Sequence, residues 1–287
     1  MRGVTQVSME RVRGTYKARD SWWTVLLVDP VAGRLVQWTF GRQWITPMRL
    51  TVAAFVTGMA AAVAFRQATA GWLVVGALLY YASFAVDCVD GKIARLRGQR
   101  SMVGSWLDFI LDRVRVFVCT IALFSGLYYA TGDHLFLLAA VSVAFLSLIG
   151  YLNGAEIDRV KARMAATLGG PATDGRHRSQ PAGEVALPGT VGKLRTFLHR
   201  HRIRMNLISA VEFEMALFVV APLVAAATGP EAVLAVGVTV AALLIAFELA
   251  LIARFLIQAR SFDRTVGEVR LPSPRERAAA TDPDRAR

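Results

Sequence analysis

A chain of 287 residues that is 55% apolar, with a mean hydropathy of +0.44, is greasier than an ordinary soluble domain. Its net charge of +12 is strongly basic, but no aromatic residues alternate with the basic runs, which argues against a nucleic-acid partner. The two cysteines, Cys88 and Cys119, both fall inside apolar runs and are too few for a disulfide framework.

In chain order, residues 1–46 come first and carry the stretch SWWTVLLVDPVAGRLVQW. Trp22, Trp23 and Trp38, with Leu26, Leu27, Val31 and Leu35, make an amphipathic segment that Pro30 is expected to interrupt. It suits the membrane interface, with the tryptophans at headgroup level; a buried half-helix is the alternative. The polar, charged start shows no short apolar region of a cleavable signal peptide. Six apolar runs follow, at about 48–66, 72–92, 106–130, 135–156, 205–228 and 231–257. Each approaches the roughly 20 residues that cross about 30 Å of hydrocarbon as a helix, and none alternates as a barrel strand does. The sequence therefore predicts an all-α, polytopic membrane bundle of six transmembrane helices with an N-terminal interfacial amphipathic helix. Its expected parts are 1–46 (interfacial), 47–258 (membrane catalytic domain) and 259–287 (a disordered tail rich in Pro and charge). Residues 168–192, rich in Gly and Pro, read as a loop between the fourth and fifth spans.

Charge placement predicts orientation. Between Arg159 and Arg204 lie ten Lys and Arg against Asp174 and Glu184, and both ends of the chain are Arg-rich. The connections RQATAG, TGDH and TGPE are short and nearly neutral. The positive-inside rule then puts both termini and the long loop in the cytoplasm, in an inner-membrane protein.

The chemistry sits around the second and third runs, in the pattern D-x2-D-G-x2-A-R-x8-G-x3-D-x3-D from Asp87 to Asp112. Asp87 and Asp90 share one helix face, as do Asp108 and Asp112. The short turn between the runs makes the two helices antiparallel neighbours, so both acidic pairs reach the same membrane level. Clustered carboxylates beside hydrocarbon need compensation, and one or two Mg²⁺ or Mn²⁺ ions supply it. Gly91, Ala94 and Gly104 leave room for a ligand, while Arg95 offers a planar fork for a diphosphate. Two other readings stand beside this one. Intramembrane acids also mark ion or proton transport, and salt bridges to Lys92, Arg95, Arg113 and Arg115 are a purely structural use.

The same stretch resembles the signature of the CDP-alcohol phosphotransferases, with no position departing from it. The resemblance implies a CDP-linked lipid or alcohol as donor, a small polar alcohol as acceptor, release of CMP, and often a homodimer in the bilayer. It implies Asp87, Asp90, Asp108 and Asp112 as metal ligands, and Asp112 as the base that takes the acceptor's proton. Asp87, Gly91, Ala94, Arg95, Gly104 and Asp108 would bind cytidine diphosphate. The tetrapeptide from Val160 to Arg163 is similar to a segment of phosphatidylinositol-phosphate synthases within that family. That likeness implies a basic pocket for an acceptor phosphate, formed by Lys161 and Arg163 with Arg202 or Arg204, although the following loop is longer here. Positive-inside anchoring is the alternative for these four residues. Glu212 and Glu214 fall on different faces of the fifth span, and Tyr80 reads as core packing.

Overall fold

The computed structural model describes residues 7–99, 101–167, 196–198, 200–204 and 209–270, with side chains to 264. Among the described residues the chain is helical, with no strand beyond one parallel bridge between Asp20 and Ile203. The helices are α1 (Met9–Arg13), α2 (Asp29–Phe40), α3 (Pro47–Arg66), α4 (Ala70–Arg97), α5 (Met102–Thr131), α6 (Leu135–Thr167), α7 (Ala210–Thr228) and α8 (Glu231–Arg270). By length and composition α3, α4, α6, α7 and α8 are able to cross a membrane, so the protein is a polytopic helical membrane protein. The third expected span corresponds to α5, which carries Asp108, Asp112, Arg113 and Arg115 in its first half and is not among those five.

Local chemistry sets the ends. Thr46 caps α3 through the Arg49 N–H and Pro47 opens it, while Ser101 caps α5 through the Gly104 N–H at 2.9 Å. Gly98, with φ +64°, ends α4 in the left-handed conformation that glycine adopts without strain. Pro30 does not interrupt the interfacial segment as expected. A π-turn at Thr24–Val28 runs straight into α2, and Pro30 follows its last residue by two. A second π-turn, Ala216–Val220, stands in the same relation to Pro222 inside α7. A wider turn just before each proline absorbs the lost N–H and the ring clash, so both helices continue.

The chain divides into two compact units, Met1–Ile149 with Gly183–Ile245, and Gly150–Ala182 with Ala246–Arg287. In the first, α3, α4 and α5 pack through small residues. Ala54, Ala61, Ala62 and Ala77 are buried, and a Cβ on Gly126 would lie 2.7 Å from the Phe65 carbonyl. Lipid tails remove the hydrophobic drive between helices, so close approach and dispersion must hold them. In the second unit, Asn153 on α6 donates to Glu248 on α8 at 2.8 Å, an intramembrane polar pair. Helix α8 runs past residue 258, so the first part of the expected tail, to Arg270, is helical. The 168–192 loop, His199, Asn206 and residues 271–287 lie outside the described residues.

Candidate active site

Three of the four aspartates meet. One carboxylate oxygen each of Asp87, Asp90 and Asp108 lies within 4.8 Å of the others. The first two come from adjacent turns of α4 and the third from the start of α5, two helices that both pack on α3. Asp90 is buried, and its Oδ2 accepts from Thr51 Oγ1 of α3 at 2.5 Å. Oδ1 of Asp108 is buried with no hydrogen-bond partner among the described residues. A buried oxygen without a donor is costly, and a hard divalent cation is the partner that three converging carboxylates suit. The residues fit Mg²⁺ or Mn²⁺, since carboxylate oxygens serve both.

Asp112 is held differently. Its Oδ2 pairs with Arg113 and its Oδ1 with Arg115. Arg115 also reaches Asp87 Oδ1 at 4.0 Å and donates to Ser83 Oγ at 3.1 Å. Arg113 lies 3.7 Å from Glu214 Oε1 on α7, and Glu214 accepts from Tyr80 Oη at 3.3 Å. Tyr80 is core-packed as expected, against Phe218 at 4.6 Å, but its hydroxyl also joins this network. Sequence reasoning does not reach Thr51, the role of Arg115 or the Glu214–Tyr80 link. The one signal available is position: Arg115 is a charge inside an apolar run, three residues from Asp112. Glu212, the other acid on α7, bonds Ser209 and closes a capping box.

Gly91 lies beside Asp90, and the Arg95 guanidinium passes 3.5 Å from where a Gly91 Cβ would stand. Arg95 Nε donates to the Thr15 carbonyl at 2.8 Å, so the N-terminal segment reaches this end of α4. Ala94 is one turn from Asp90, and Gly104 leaves space for the Ser101 cap, which a Cβ would approach to 2.8 Å.

The basic residues expected at the acceptor fall on different elements. Arg202 lies 3.3 Å from Asp29 Oδ2 and donates twice to the Lys17 carbonyl, at 2.8 and 3.1 Å. Arg204 lies 3.5 Å from Asp20 Oδ1. Backbone bonds from Asp20 N to Arg202 O and from Arg204 N to Asp20 O, both 2.9 Å, clasp the two segments together. Asp29 is shared with buried Lys92 at 3.1 Å. Tyr16 donates to the Asp29 carbonyl at 3.2 Å, and burial, reinforced by the Asp29 charge, pushes its hydroxyl above the ordinary range. Lys161 and Arg163 lie near the end of α6, in the second unit.

A family model described as CDP-alcohol phosphatidyltransferase matches residues 44–269. A protein named bifunctional IPC transferase and DIPP synthase, from Thermococcus kodakarensis, is 31% identical over 114 residues, covering 37% of this chain and 22% of that protein. One named archaetidylinositol phosphate synthase, from Methanothermobacter thermautotrophicus, is 30% identical over 99 residues, covering 34% of this chain and 45% of that protein. The chain thus spans less than half the length of either curated relative.

Proposed function

Because the chain belongs to the CDP-alcohol phosphatidyltransferase family, we propose that it moves a phosphatidyl group from a CDP-linked lipid, such as CDP-diacylglycerol, to a small polar alcohol and releases CMP. The observation that carries this reading is the convergence of Asp87, Asp90 and Asp108, with one Asp108 oxygen unpartnered among the described residues, inside the complete spaced pattern. These three, joined by Asp112, would hold Mg²⁺ or Mn²⁺. When bound there, such a cation would supply positive charge to neutralise the diphosphate and favour in-line displacement. Thr51 fixes Asp90, while Gly91 and Ala94 are the small residues along which a diphosphate approaches, and Gly104 gives room to the Ser101 cap at the start of α5. Arg95 offers its fork to the phosphates. The acceptor oxygen bonds to the phosphatidyl phosphorus as the bond from that phosphorus to the CMP oxygen breaks. Asp112 takes the hydroxyl proton, and CMP carries away the electron pair.

The acceptor is a polyol phosphate, inositol phosphate or glycerol phosphate. The name of the archaetidylinositol phosphate synthase supports the first. Lys161 and Arg163 bind its phosphate in this reading. Positive-inside charge puts the site and both termini in the cytoplasm, and the protein works in the inner membrane as a homodimer. Residues 1–46 form the interfacial segment and 47–258 the catalytic domain.

The experiment is incubation of membranes containing the protein with CDP-diacylglycerol and a panel of polyols and polyol phosphates, with products identified by mass. A phosphorylated phosphatidyl-polyol formed with stoichiometric CMP supports the reading. Absence of CMP with every acceptor, beside an ion flux in proteoliposomes, would replace it with transport.

A further inference from the structure

Arg115 is the largest fully buried side chain among the described residues, at 1% exposed. A guanidinium at that depth in a membrane helix needs partners for its charge. Here its two terminal nitrogens have them, while Nε has none among the described residues. One nitrogen pairs with Asp112 Oδ1, the other donates to Ser83 Oγ at 3.1 Å and lies 4.0 Å from Asp87 Oδ1. The fork packs 5.5 Å from the centre of the Tyr80 ring. Ser83 is itself tied to the Ala54 carbonyl of α3 at 2.6 Å, and Tyr80 to Glu214 of α7. The stem lies against Gly58. A Cβ there would stand 2.5 Å from Arg115 Cδ and 2.6 Å from Cγ, so any larger residue displaces the arginine.

We infer that Arg115 is a positioning residue for the transfer step, holding the Asp112 carboxylate in one orientation beside Asp87, with Gly58 as the seat of its stem. The inference rests on the transferase reading above. Burial keeps Arg115 from touching substrate, so it acts through the carboxylates it holds, chiefly Asp112. Arg113, the other guanidinium on Asp112, is 24% exposed and lacks that enclosure. A carboxylate has about four lone-pair sites, so the arginine bonds leave capacity for an acceptor hydroxyl. The rigid fork, which lysine lacks, is what fixes orientation as well as charge.

The test uses purified full-length protein and its Arg115→Met, Arg115→Lys and Gly58→Ala variants. Four quantities are measured: kcat and KM for CMP release, equilibrium binding of CDP-diacylglycerol, and thermal unfolding, with rates normalised to the donor-binding fraction. Arg115→Met is expected to lower kcat about 100-fold, the scale of an ångström-sized misplacement. KM and donor affinity stay near wild type, and Arg115→Lys recovers part of the loss. Gly58→Ala, which removes no charged group, lowers kcat in the same sense and carries the test if Arg115→Met does not fold. Undiminished kcat in either variant beside an active wild type overturns the inference, as does a loss seen wholly in donor affinity. An inactive wild type overturns the transferase reading, and the inference with it.

Discussion

Two clusters in the first unit carry opposite imbalances. Around Asp112 lie five carboxylates (Asp87, Asp90, Asp108, Asp112 and Glu214), of which Asp87, Asp112 and Glu214 pair with the guanidiniums of Arg113 and Arg115. At the N-terminal clasp, four cations (Lys17, Lys92, Arg202 and Arg204) surround Asp20 and Asp29. The clasp closes on itself: each acid there has two basic neighbours, the backbone segments are hydrogen-bonded, and Lys92 and Asp29 are both buried. The acidic cluster does not close, because Asp108 keeps an oxygen without a donor among the described residues. A self-satisfied cluster is architecture, whereas one short of positive charge is built for something brought in from outside.

The largest effect should follow from the acidic side. Asp112→Asn keeps the shape but cannot take a proton, and is expected to lower CMP release about 1,000-fold with the protein still folded, checked by initial rates and size-exclusion profiles. Wild-type rates would break the comparison at its first member. On the clasp, Asp29→Asn leaves Lys92 buried without its counter-charge and should destabilise the protein by about 3 kcal/mol, read as a lower midpoint of thermal unfolding. An unchanged midpoint would mean the clasp is not the structural element described. The Arg115→Met loss, confined to kcat, comes next and ties the two halves of the acidic network together. Smallest is the acceptor effect. Lys161→Ala should raise the acceptor KM about tenfold, as one phosphate contact is removed, and leave the donor KM alone. Arg202→Ala, which opens the clasp, should lower the unfolding midpoint, and Lys161→Ala should not.

Much of this architecture is legible in the amino-acid sequence. Apolar run lengths predict the helices, and spacings of three and four residues predict that Asp87 and Asp90 face Asp108. Those are local properties of one helix, or of two joined by a short turn. What the sequence hides is set by neighbours distant along the chain. Nothing near Asp90 announces Thr51, and Lys92 reads as one more charge beside the signature until Asp29 of α2 is placed against it. Arg115 is visible as an intramembrane charge, yet Gly58 and Ser83, which give it a place, come from other helices. Pro30 departs from expectation because the rule that proline breaks a helix assumes an i to i−4 ladder, and the π-turn before it replaces that ladder.

The central claim is that Asp87, Asp90 and Asp108 form a divalent-cation site. Titration of the purified protein with Mn²⁺, following free ion by electron paramagnetic resonance, tests it most directly. Saturable binding by the wild type, weakened at least about tenfold by Asp108→Asn and by Asp90→Asn, is the predicted result. No saturable binding, or equal affinity in the wild type and both variants, would contradict it.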